Sequence, residues 1–217
     1  MEKFKSNKYK FLGIEFSLLD IVMVVLGLLL LVISAVISHH HQLVGWQKKL
    51  FIDINNWPNY YKTPALIITE ALGAAYPIIV VVLLPLLFKN FKLAWKFYVT
   101  VGAAGVIMEI AKHVVKEPRP FVMLSGHLHL RAVETGLTSY PSGHVAVATA
   151  MALTLWLILP NKFKFLSVLW ILLVSISRLY LGVHTPLDIV GGFSIGLLSF
   201  YAVKLLPKSF AKKVYLD

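Results

Sequence analysis

Residues 165–188 read FLSVLWILLVSISRLYLGVHTPLD. The first part of this stretch is an apolar run that ends near Arg178, and a second apolar run begins after a short link that contains Gly182 and His184. A helix needs about twenty mostly apolar residues to cross the hydrocarbon of a bilayer. The stretch therefore predicts two membrane helices whose adjoining ends carry polar side chains.

Apolar runs of this kind recur along the 217 residues, and the chain as a whole is 58% hydrophobic with only 14% charged residues. That composition is typical of an integral membrane helix bundle and excludes an ordinary soluble domain. We predict an all-α, polytopic membrane protein that forms a single domain over residues 1–217. The six predicted spans are residues 17–38, 64–88, 94–116, 143–160, 165–182 and 186–206. The first run is too long for the apolar core of a signal peptide, so we expect an uncleaved anchor.

The formal net charge of +11 comes largely from lysines between the predicted spans. Lysines that flank apolar spans indicate contact with anionic lipid headgroups, whereas a nucleic-acid partner would require one basic face. Because lysine-rich connections stay in the cytoplasm, the bias places both termini there. The lysine-rich segments are residues 3–10, 89–96, 162–164 and 204–213. The polar clusters described below then lie on the extracytoplasmic side.

Two connections on that side are expected to be structured. Residues 42–56 mix polar and apolar side chains and precede a group of aromatic residues, which predicts an interfacial helix along the membrane surface. Residues 121–140 mix leucines and a phenylalanine with polar residues, and we expect them to form a partial lid.

The junction between the last two predicted spans carries the sharpest chemical pattern. Arg178 ends one span, and His184 and Asp188 stand four residues apart at the start of the next. On a helix this spacing puts an imidazole and a carboxylate on one face, so that Asp188 can accept the proton of one ring nitrogen and leave the other free as a nucleophile. Such a pair is often structural, but a charge within a membrane span needs a partner and indicates function.

A second cluster, Pro141-Ser142-Gly143-His144, directly precedes an apolar run. Ser142 is a candidate N-cap, Gly143 allows the backbone to approach a ligand closely, and the amide groups of the first helical turn can bind an anion. His144 would then point towards the same anion. The alternative interpretation is a capped helix with an interfacial histidine.

Lys112 and Arg119 form a third cluster, seven residues apart, with a proline on either side of Arg119. The prolines disfavour helix there, so the chain is expected to turn back and bring both cations towards one point. Taken alone, the pair is more typical of cations that extend to lipid headgroups. Glu109 lies three residues before Lys112 on the same helix face and is a candidate to orient it.

The sequence offers no obvious site for a metal ion or a cofactor. It contains no cysteine, which excludes disulfides and thiolate sites, and no acidic cluster is available to hold magnesium. His39, His40 and His41 are adjacent, and adjacent residues of a regular helix cannot all face one ion. We therefore interpret them as an interfacial turn and expect chemistry without a cofactor.

The three clusters together resemble the signature of the type 2 phosphatidic acid phosphatase superfamily, in the order Lys-x6-Arg-Pro, Pro-Ser-Gly-His and Ser-Arg-x5-His-x3-Asp. Every position of that signature is filled here, by Lys112, Arg119, Pro120, Pro141, Ser142, Gly143, His144, Ser177, Arg178, His184 and Asp188. The six-span arrangement is also similar to that of the membrane members of the family. The resemblance implies an enzyme that acts on phosphorylated lipids.

The resemblance also implies a role for each of these residues. His184 would attack phosphorus and carry a phosphohistidine, Asp188 would polarise it, and His144 would protonate the leaving oxygen. A second group would support the phosphate, and its members are Lys112, Arg119, Ser142, Gly143 and Arg178, with Ser177 and Glu109 as candidates behind them. Three fixed cations suit a phosphoryl group, because its charge spreads over the equatorial oxygens in the transition state.

The motifs bind only phosphate, so they leave the lipid unspecified. We expect metal-independent hydrolysis of phosphatidylglycerophosphate to phosphatidylglycerol, with undecaprenyl diphosphate as the alternative substrate. Two other functions stay open: a phosphotransferase, in which an alcohol replaces water, and a lipid transporter whose intramembrane charges line a pathway. The expected partners are the phosphorylated lipid and the surrounding membrane lipids, without nucleic acid or an obligate protein partner.

Overall fold

The chain forms a bundle of apolar helices preceded by a short hairpin. The computed structural model describes residues 8–11, 14–40, 43, 45–73, 83, 89–124, 128–134, 136 and 138–205. Within them the helices are α1 (Leu18–His39), α2 (Gly45–Asn55), α3 (Lys62–Gly73), α4 (Phe91–Val115), α5 (Pro120–Met123), α6 (Gly143–Trp156), α7 (Phe165–Tyr180) and α8 (Pro186–Lys204). Single 3-10 turns, Asn59–Tyr61 and Asn161–Phe163, precede α3 and α7.

Four helices in the described part of the chain are long and apolar enough to cross a membrane. They are α1, α4, α8 and the segment Asn161–Tyr180, which contains α7. Each agrees with a predicted span to within a few residues, so the prediction of a helical membrane protein is confirmed. The physical reason is that long apolar runs without an interior proline favour continuous helix.

Two predicted spans differ from the observed helices. The span predicted at 143–160 is represented by α6, which has 14 residues and ends at Trp156. Pro160 follows closely, and a proline disfavours helix in the residue before it. The span predicted at 64–88 begins with α3, but residues 74–82 and 84–88 lie outside the described residues.

The hairpin before α1 is an addition to the predicted all-α fold. Strand β1 (Lys8–Phe11) pairs antiparallel with β2 (Ile14–Ser17), and Tyr9 lies opposite Phe16. The two rings stack with centroids 5.9 Å apart. An aromatic pair across two strands stabilises a hairpin, and the lysine-rich composition of this segment concealed that signal.

Helix α8 is the centre of the bundle and packs against α6, α1 and α4. Small residues permit the contact with α6: a Cβ added at Gly196 would lie 2.5 Å from the Cβ of Thr149 and 2.6 Å from the carbonyl oxygen of Ala146. The hydroxyls of Ser194 and Ser199 donate to carbonyl oxygens four residues earlier, which satisfies them within the helix. Close approach through small residues is a common way for helices to associate in a membrane.

The connections at one end of the bundle are held to the helices by hydrogen bonds. We call the described residues between 128 and 140 the covering loop. Arg131 of this loop is buried and donates to the carbonyl oxygens of Asn55, Trp57 and Tyr180. Its guanidinium also lies 4.3 Å from the centre of the Tyr180 ring. Arg131 therefore fastens the covering loop to α2 and α7.

Candidate active site

His184 lies in the link between α7 and α8 and is only 3% exposed. Thr185 is the N-cap of α8: its Oγ1 accepts the Asp188 amide at 3.3 Å, and Asp188 Oδ2 accepts the Thr185 amide at 2.6 Å. The expectation that His184 and Asp188 share a helix face is therefore wrong, because α8 begins after His184. The link still brings Nδ1 of His184 to 3.3 Å from Oδ2 of Asp188.

Two contacts define which ring nitrogen of His184 carries the proton. Nη1 of Arg119 lies 3.4 Å from Nε2 of His184. A guanidinium can only donate, so Nε2 is the acceptor and the proton resides on Nδ1, next to Asp188. Burial lowers the pKa of His184 to about 4; Asp188 opposes this shift and Arg178 adds to it. At neutral pH the imidazole is neutral and has its free electron pair on Nε2.

Asp188 is fully buried and receives several donors. Besides the Thr185 amide and the His184 imidazole, its Oδ2 accepts the hydroxyl of Ser139 at 2.5 Å. Its backbone carbonyl accepts the amide of Ser142 at 3.0 Å, which joins the start of α6 to the start of α8. The carboxylate is thus fixed in one orientation beside the imidazole.

Two buried arginines meet at Glu134 of the covering loop. Arg178 Nη2 donates to Oε1 of Glu134, and Arg119 Nη2 lies 3.6 Å from Oε2. Arg119 is further held by the carbonyl oxygens of Gly136 and Val183, each at 3.0 Å. Burial acts in the opposite direction, but Arg178 keeps the pKa of the Glu134 carboxyl below its usual value. The two guanidinium groups therefore form an anion site that holds a carboxylate.

Two polar atoms of the residues expected to bind phosphate have no hydrogen-bond partner in the described part of the chain. They are Nε of Arg178 and Oγ of Ser142, both buried. Ser142 occupies the N-cap position of α6, but its hydroxyl makes no capping bond, contrary to expectation. Buried polar groups are nearly always paired in folded proteins. These two atoms are therefore available to a bound anion.

Gly143 lies where the start of α6 packs on α4. A Cβ at Gly143 would lie 2.6 Å from Sδ of Met108, which is the end of a flexible side chain that can move. The expected close approach of the Gly143 backbone to a ligand stays a prediction.

His144 is the second residue of α6 and is half-buried. It packs against the end of α3, where a Cβ added at Gly73 would lie 3.1 Å from the Cβ of His144. Its imidazole interacts electrostatically with Arg178, Glu134 and His184. His144 therefore belongs to the same cluster, and its partial exposure leaves it open to a ligand.

Ser177 supports the cluster from behind. Its hydroxyl donates to Oγ1 of Thr69 at 3.2 Å and to the carbonyl oxygen of Val174 at 2.7 Å. Nη1 of Arg178 donates to the same Thr69 oxygen at 3.3 Å. Thr69 of α3 thus positions both residues, although no sequence motif pointed to it.

The structure does not join Lys112 and Glu109 to this cluster. Lys112 lies in the last turn of α4, and within the described residues no hydrogen bond or ion pair links its ammonium to the arginines or histidines. The Glu109 side chain is exposed, and no ion pair with Lys112 is found in the same part of the chain. Their expected roles stay predictions.

Sequence reasoning missed Glu134 and Ser139. Both lie in the covering loop, which the composition identified only as part of a lid. A single acidic residue in a polar loop carries no periodic or spacing signal that would separate it from a solvated charge. Its contact with two arginines depends entirely on tertiary structure.

A model of the PAP2 superfamily matches residues 93–211, a range that contains all three clusters. The chain is 30% identical over 194 residues to an undecaprenyl-diphosphatase of Sulfolobus acidocaldarius. That alignment covers 86% of this chain and 94% of the relative.

Two solved structures are similar to this chain. LpxE of Aquifex aeolicus has a TM-score of 0.67 at 24% identity and aligns over 74% of this chain and 95% of its own, which is a likeness of fold alone. A PAP2 type phosphatidylglycerolphosphate phosphatase of Bacillus subtilis has a TM-score of 0.64 at 25% identity. It aligns over 91% of this chain and 98% of its own.

Proposed function

Since the chain belongs to the PAP2 superfamily and is a membrane lipid phosphatase, we propose that it cleaves the terminal phosphate of a lipid through a phosphohistidine at His184. The observation that carries this proposal is the state of the His184 ring. Nε2 faces Arg119 as an acceptor, while Nδ1 faces Asp188. A neutral, oriented imidazole next to an anion site is an activated nucleophile.

In the first step the phosphate takes the place that Glu134 occupies between Arg119 and Arg178. The phosphate takes up the Nη1 donor of Arg119, which frees the electron pair on Nε2 of His184. Nε2 then attacks phosphorus, and the bond from phosphorus to the oxygen of the lipid leaving group breaks. The negative charge of the bound phosphate favours the protonated form of His144, which gives its proton to that departing oxygen. Asp188 stabilises the positive charge that develops on the imidazole.

In the second step His144, now neutral, takes a proton from water, and the water oxygen attacks phosphorus. The bond between phosphorus and Nε2 breaks, and inorganic phosphate leaves. The unpartnered Ser142 hydroxyl and Arg178 Nε supply donors to the phosphoryl oxygens in both steps. Losing one such preorganised donor typically costs about 100- to 1,000-fold in rate.

Metal independence is part of this proposal. The groups around the anion site are guanidinium groups, which repel a divalent cation and already neutralise the phosphoryl oxygens. Lys112 would add a third cation when a lipid is bound. We infer this placement from the family signature and not from a contact.

For the substrate we place undecaprenyl diphosphate first and phosphatidylglycerophosphate second, which reverses the order expected from sequence. An undecaprenyl-diphosphatase is 30% identical to this chain and aligns over 94% of its own length. The second candidate is supported by the Bacillus subtilis structure. Both lipids end in a phosphoryl group that the two arginines can hold.

We also propose the six-span topology, with both termini cytoplasmic and the active site extracytoplasmic. The positions of α1, α4, α7 and α8 support it, as do the lysine-rich connections. Helix α2 would lie along the membrane surface, because its sequence mixes polar and apolar side chains. Cysteine labelling from either side of the membrane tests this arrangement.

Trapping of the intermediate tests the mechanism. Wild-type protein quenched during turnover of a ³²P-labelled lipid phosphate should carry acid-labile, base-stable label, and His184→Ala should carry none and lose at least about a thousandfold in kcat. His113→Ala is the matched control. His113 is an exposed histidine in the last turn of α4, so this variant should behave as wild type. An active wild-type protein without trapped label would contradict the phosphohistidine.

The leaving group tests the substrate and the role of His144 together. The leaving group of undecaprenyl diphosphate is undecaprenyl phosphate, which departs readily without a proton. The leaving group of phosphatidylglycerophosphate is an alkoxide, which depends more strongly on protonation by a general acid. We expect a higher kcat/KM for undecaprenyl diphosphate, and a larger loss with phosphatidylglycerophosphate in His144→Ala. Faster wild-type turnover of phosphatidylglycerophosphate would make that lipid the first candidate substrate again. Equal losses of kcat/KM on both lipids in His144→Ala would contradict the role of His144 as general acid.

A further inference from the structure

Glu117 is a buried carboxyl group to which neither the sequence motifs nor the mechanism above assigns a role. It lies between α4 and α5 and is 2% exposed. Its backbone carbonyl accepts the amide of Ser139 at 2.7 Å, and Pro118 forms a bridge with Thr138. These contacts hold the segment against the covering loop, so the Glu117 side chain points into the protein and not towards lipid headgroups.

Ser139 joins Glu117 to Asp188, because its amide donates to the Glu117 carbonyl oxygen at 2.7 Å and its hydroxyl donates to Oδ2 of Asp188 at 2.5 Å. The two carboxyl groups also interact electrostatically. Each of the two carboxyl groups has one buried oxygen without a partner in the described part of the chain, Oε2 of Glu117 and Oδ1 of Asp188. Two adjacent buried carboxyl groups cannot both be ionised without a large electrostatic cost. One shared proton would satisfy both orphaned oxygens.

The donors around Asp188 decide which group carries that proton. Oδ2 of Asp188 already accepts from the Ser139 hydroxyl, the Thr185 amide and the His184 imidazole. Three donors stabilise the ionised form of Asp188. Glu117 has no comparable set of donors in the described residues, so the proton belongs on Glu117.

We propose that Glu117 is a positioning residue, protonated at neutral pH, which donates a hydrogen bond to the free oxygen of Asp188. The inference rests on the proposed function, because it gives the His184–Asp188 pair a third member. With both oxygens of Asp188 engaged, the carboxylate plane cannot rotate away from Nδ1 of His184. Donation to Oδ1 also lowers the basicity of Asp188, which keeps the proton on Nδ1 while Nε2 bonds to phosphorus.

The electrostatic surroundings of Glu117 agree with this assignment. Burial, and then the charge of Asp188, raise the pKa of Glu117 to about 10. The groups that face it in the described part of the chain are Asp188 from α8, Ser38 from α1 and Tyr140 before α6. Burial raises the pKa of Tyr140 to about 12, so Tyr140 stays neutral while Glu117 titrates.

Kinetics of two Glu117 variants provide the first test. The Gln side chain keeps a donor for Asp188, whereas Ala removes it. The kcat of Glu117→Gln should stay within a few-fold of the wild-type value. Glu117→Ala should lose about 10- to 100-fold in kcat with little change in KM, the range found for hydrogen-bond partners that orient metal-binding histidines. Equal losses in both variants, or full activity in Glu117→Ala, would overturn the proposal.

Infrared spectroscopy gives a second test that needs no activity. At about pH 8 ordinary carboxyl groups are ionised, so a protonated carboxyl band should appear in wild type and in His184→Ala and be absent from Glu117→Gln. The band should disappear as the pH rises through about 10. An identical spectrum for wild type and Glu117→Gln overturns the proposal. Because the band does not depend on catalysis, its presence in an inactive His184→Ala would support the protonated Glu117 even if the proposed function fails.

Discussion

Helices α1 and α8 have similar lengths and are both apolar, yet they occupy opposite environments. Within the membrane-length window of each helix, 17% of α1 is buried inside the protein against 67% of α8. α1 is the more hydrophobic of the two and directs large side chains such as Leu29 and Val32 outwards. α8 carries glycines and serines and bears Asp188 in its first turn.

The contrast teaches that hydrophobicity and burial are separate properties in this protein. Lipid replaces water around the bundle, so large apolar residues gain nothing from turning inwards. The interior instead selects small residues that allow backbones to approach. Burial of α8 in turn keeps water from the His184–Asp188 pair, which strengthens its electrostatic interactions.

The strongest test of this contrast adds one methyl group to each helix. A Cβ at Gly196 of α8 would meet backbone atoms, the carbonyl oxygen of Ala146 at 2.6 Å and the amide nitrogen of Ala150 at 2.9 Å. Gly196→Ala must separate α8 from α6, and we expect it to destabilise the fold by about 1–3 kcal/mol and to lower the midpoint of thermal unfolding in detergent by several degrees.

Gly27→Ala in α1 is the matched control. There the added Cβ meets the side chain of Leu198, at 3.0 Å from Cδ2, and a flexible side chain can move. We expect a change in the unfolding midpoint close to the error of measurement. Equal destabilisation by the two substitutions would contradict the view that only α8 is packed backbone to backbone.

The next test concerns the N-terminal end of α8, where burial comes from the covering loop. Because Glu134 is held between Arg119 and Arg178, inorganic phosphate must displace a carboxylate to bind there. Glu134→Gln removes that competitor, and we expect inhibition by phosphate to strengthen roughly tenfold, equivalent to about 1.4 kcal/mol. The pKa of Glu134 lies below its usual value, so the carboxylate is charged at neutral pH and the difference should persist there.

The pH dependence of this contact has a defined sign. A carboxyl with a lowered pKa in the folded state contributes stability above its unfolded pKa, and the contribution is lost as the pH falls through the folded value. The free energy of unfolding of Glu134→Gln should therefore fall less than that of wild type as the pH is lowered. Asp53→Asn is the control, since Asp53 is exposed and makes no ion pair with either arginine in the described chain. Weaker phosphate inhibition in Glu134→Gln would mean that Glu134 organises the arginines and does not compete with phosphate.

The same contrast explains which features could be predicted from sequence. Spans such as α1 and α4 follow from hydropathy, and the meeting of His184 with Arg119 follows from motifs placed at the ends of spans. The placement of His184 on the same helix face as Asp188 overlooked the capping box of Thr185 and Asp188, with Pro186 at the first helical position, which starts α8 after His184. Glu117 and Glu134 could not be placed, since their partners come from distant segments and no local periodicity marks them.

The smallest expected effect lies at the opposite end of α8, where it meets α1 through an ion pair. Lys204 Nζ is 2.5 Å from Oδ1 of Asp20, and Asp20 also accepts the Ser17 amide in the capping box of α1. Asp20→Asn keeps an acceptor for the cap but removes the charge. Because Lys204 is 37% exposed, we expect a loss under about 1 kcal/mol.

A double-mutant cycle measured by unfolding in detergent isolates this ion pair. Asp20→Asn and Lys204→Gln should each cost the same small amount, and the double variant should cost no more than either one. That result would leave apolar and small-residue packing as the main attachment of α1 to α8, since charge pairs near water are screened. A coupling energy of several kcal/mol would instead make the ion pair the chief contact between α1 and α8. The different positions of the two helices, α1 facing lipid and α8 at the centre, would then depend on electrostatics at their ends.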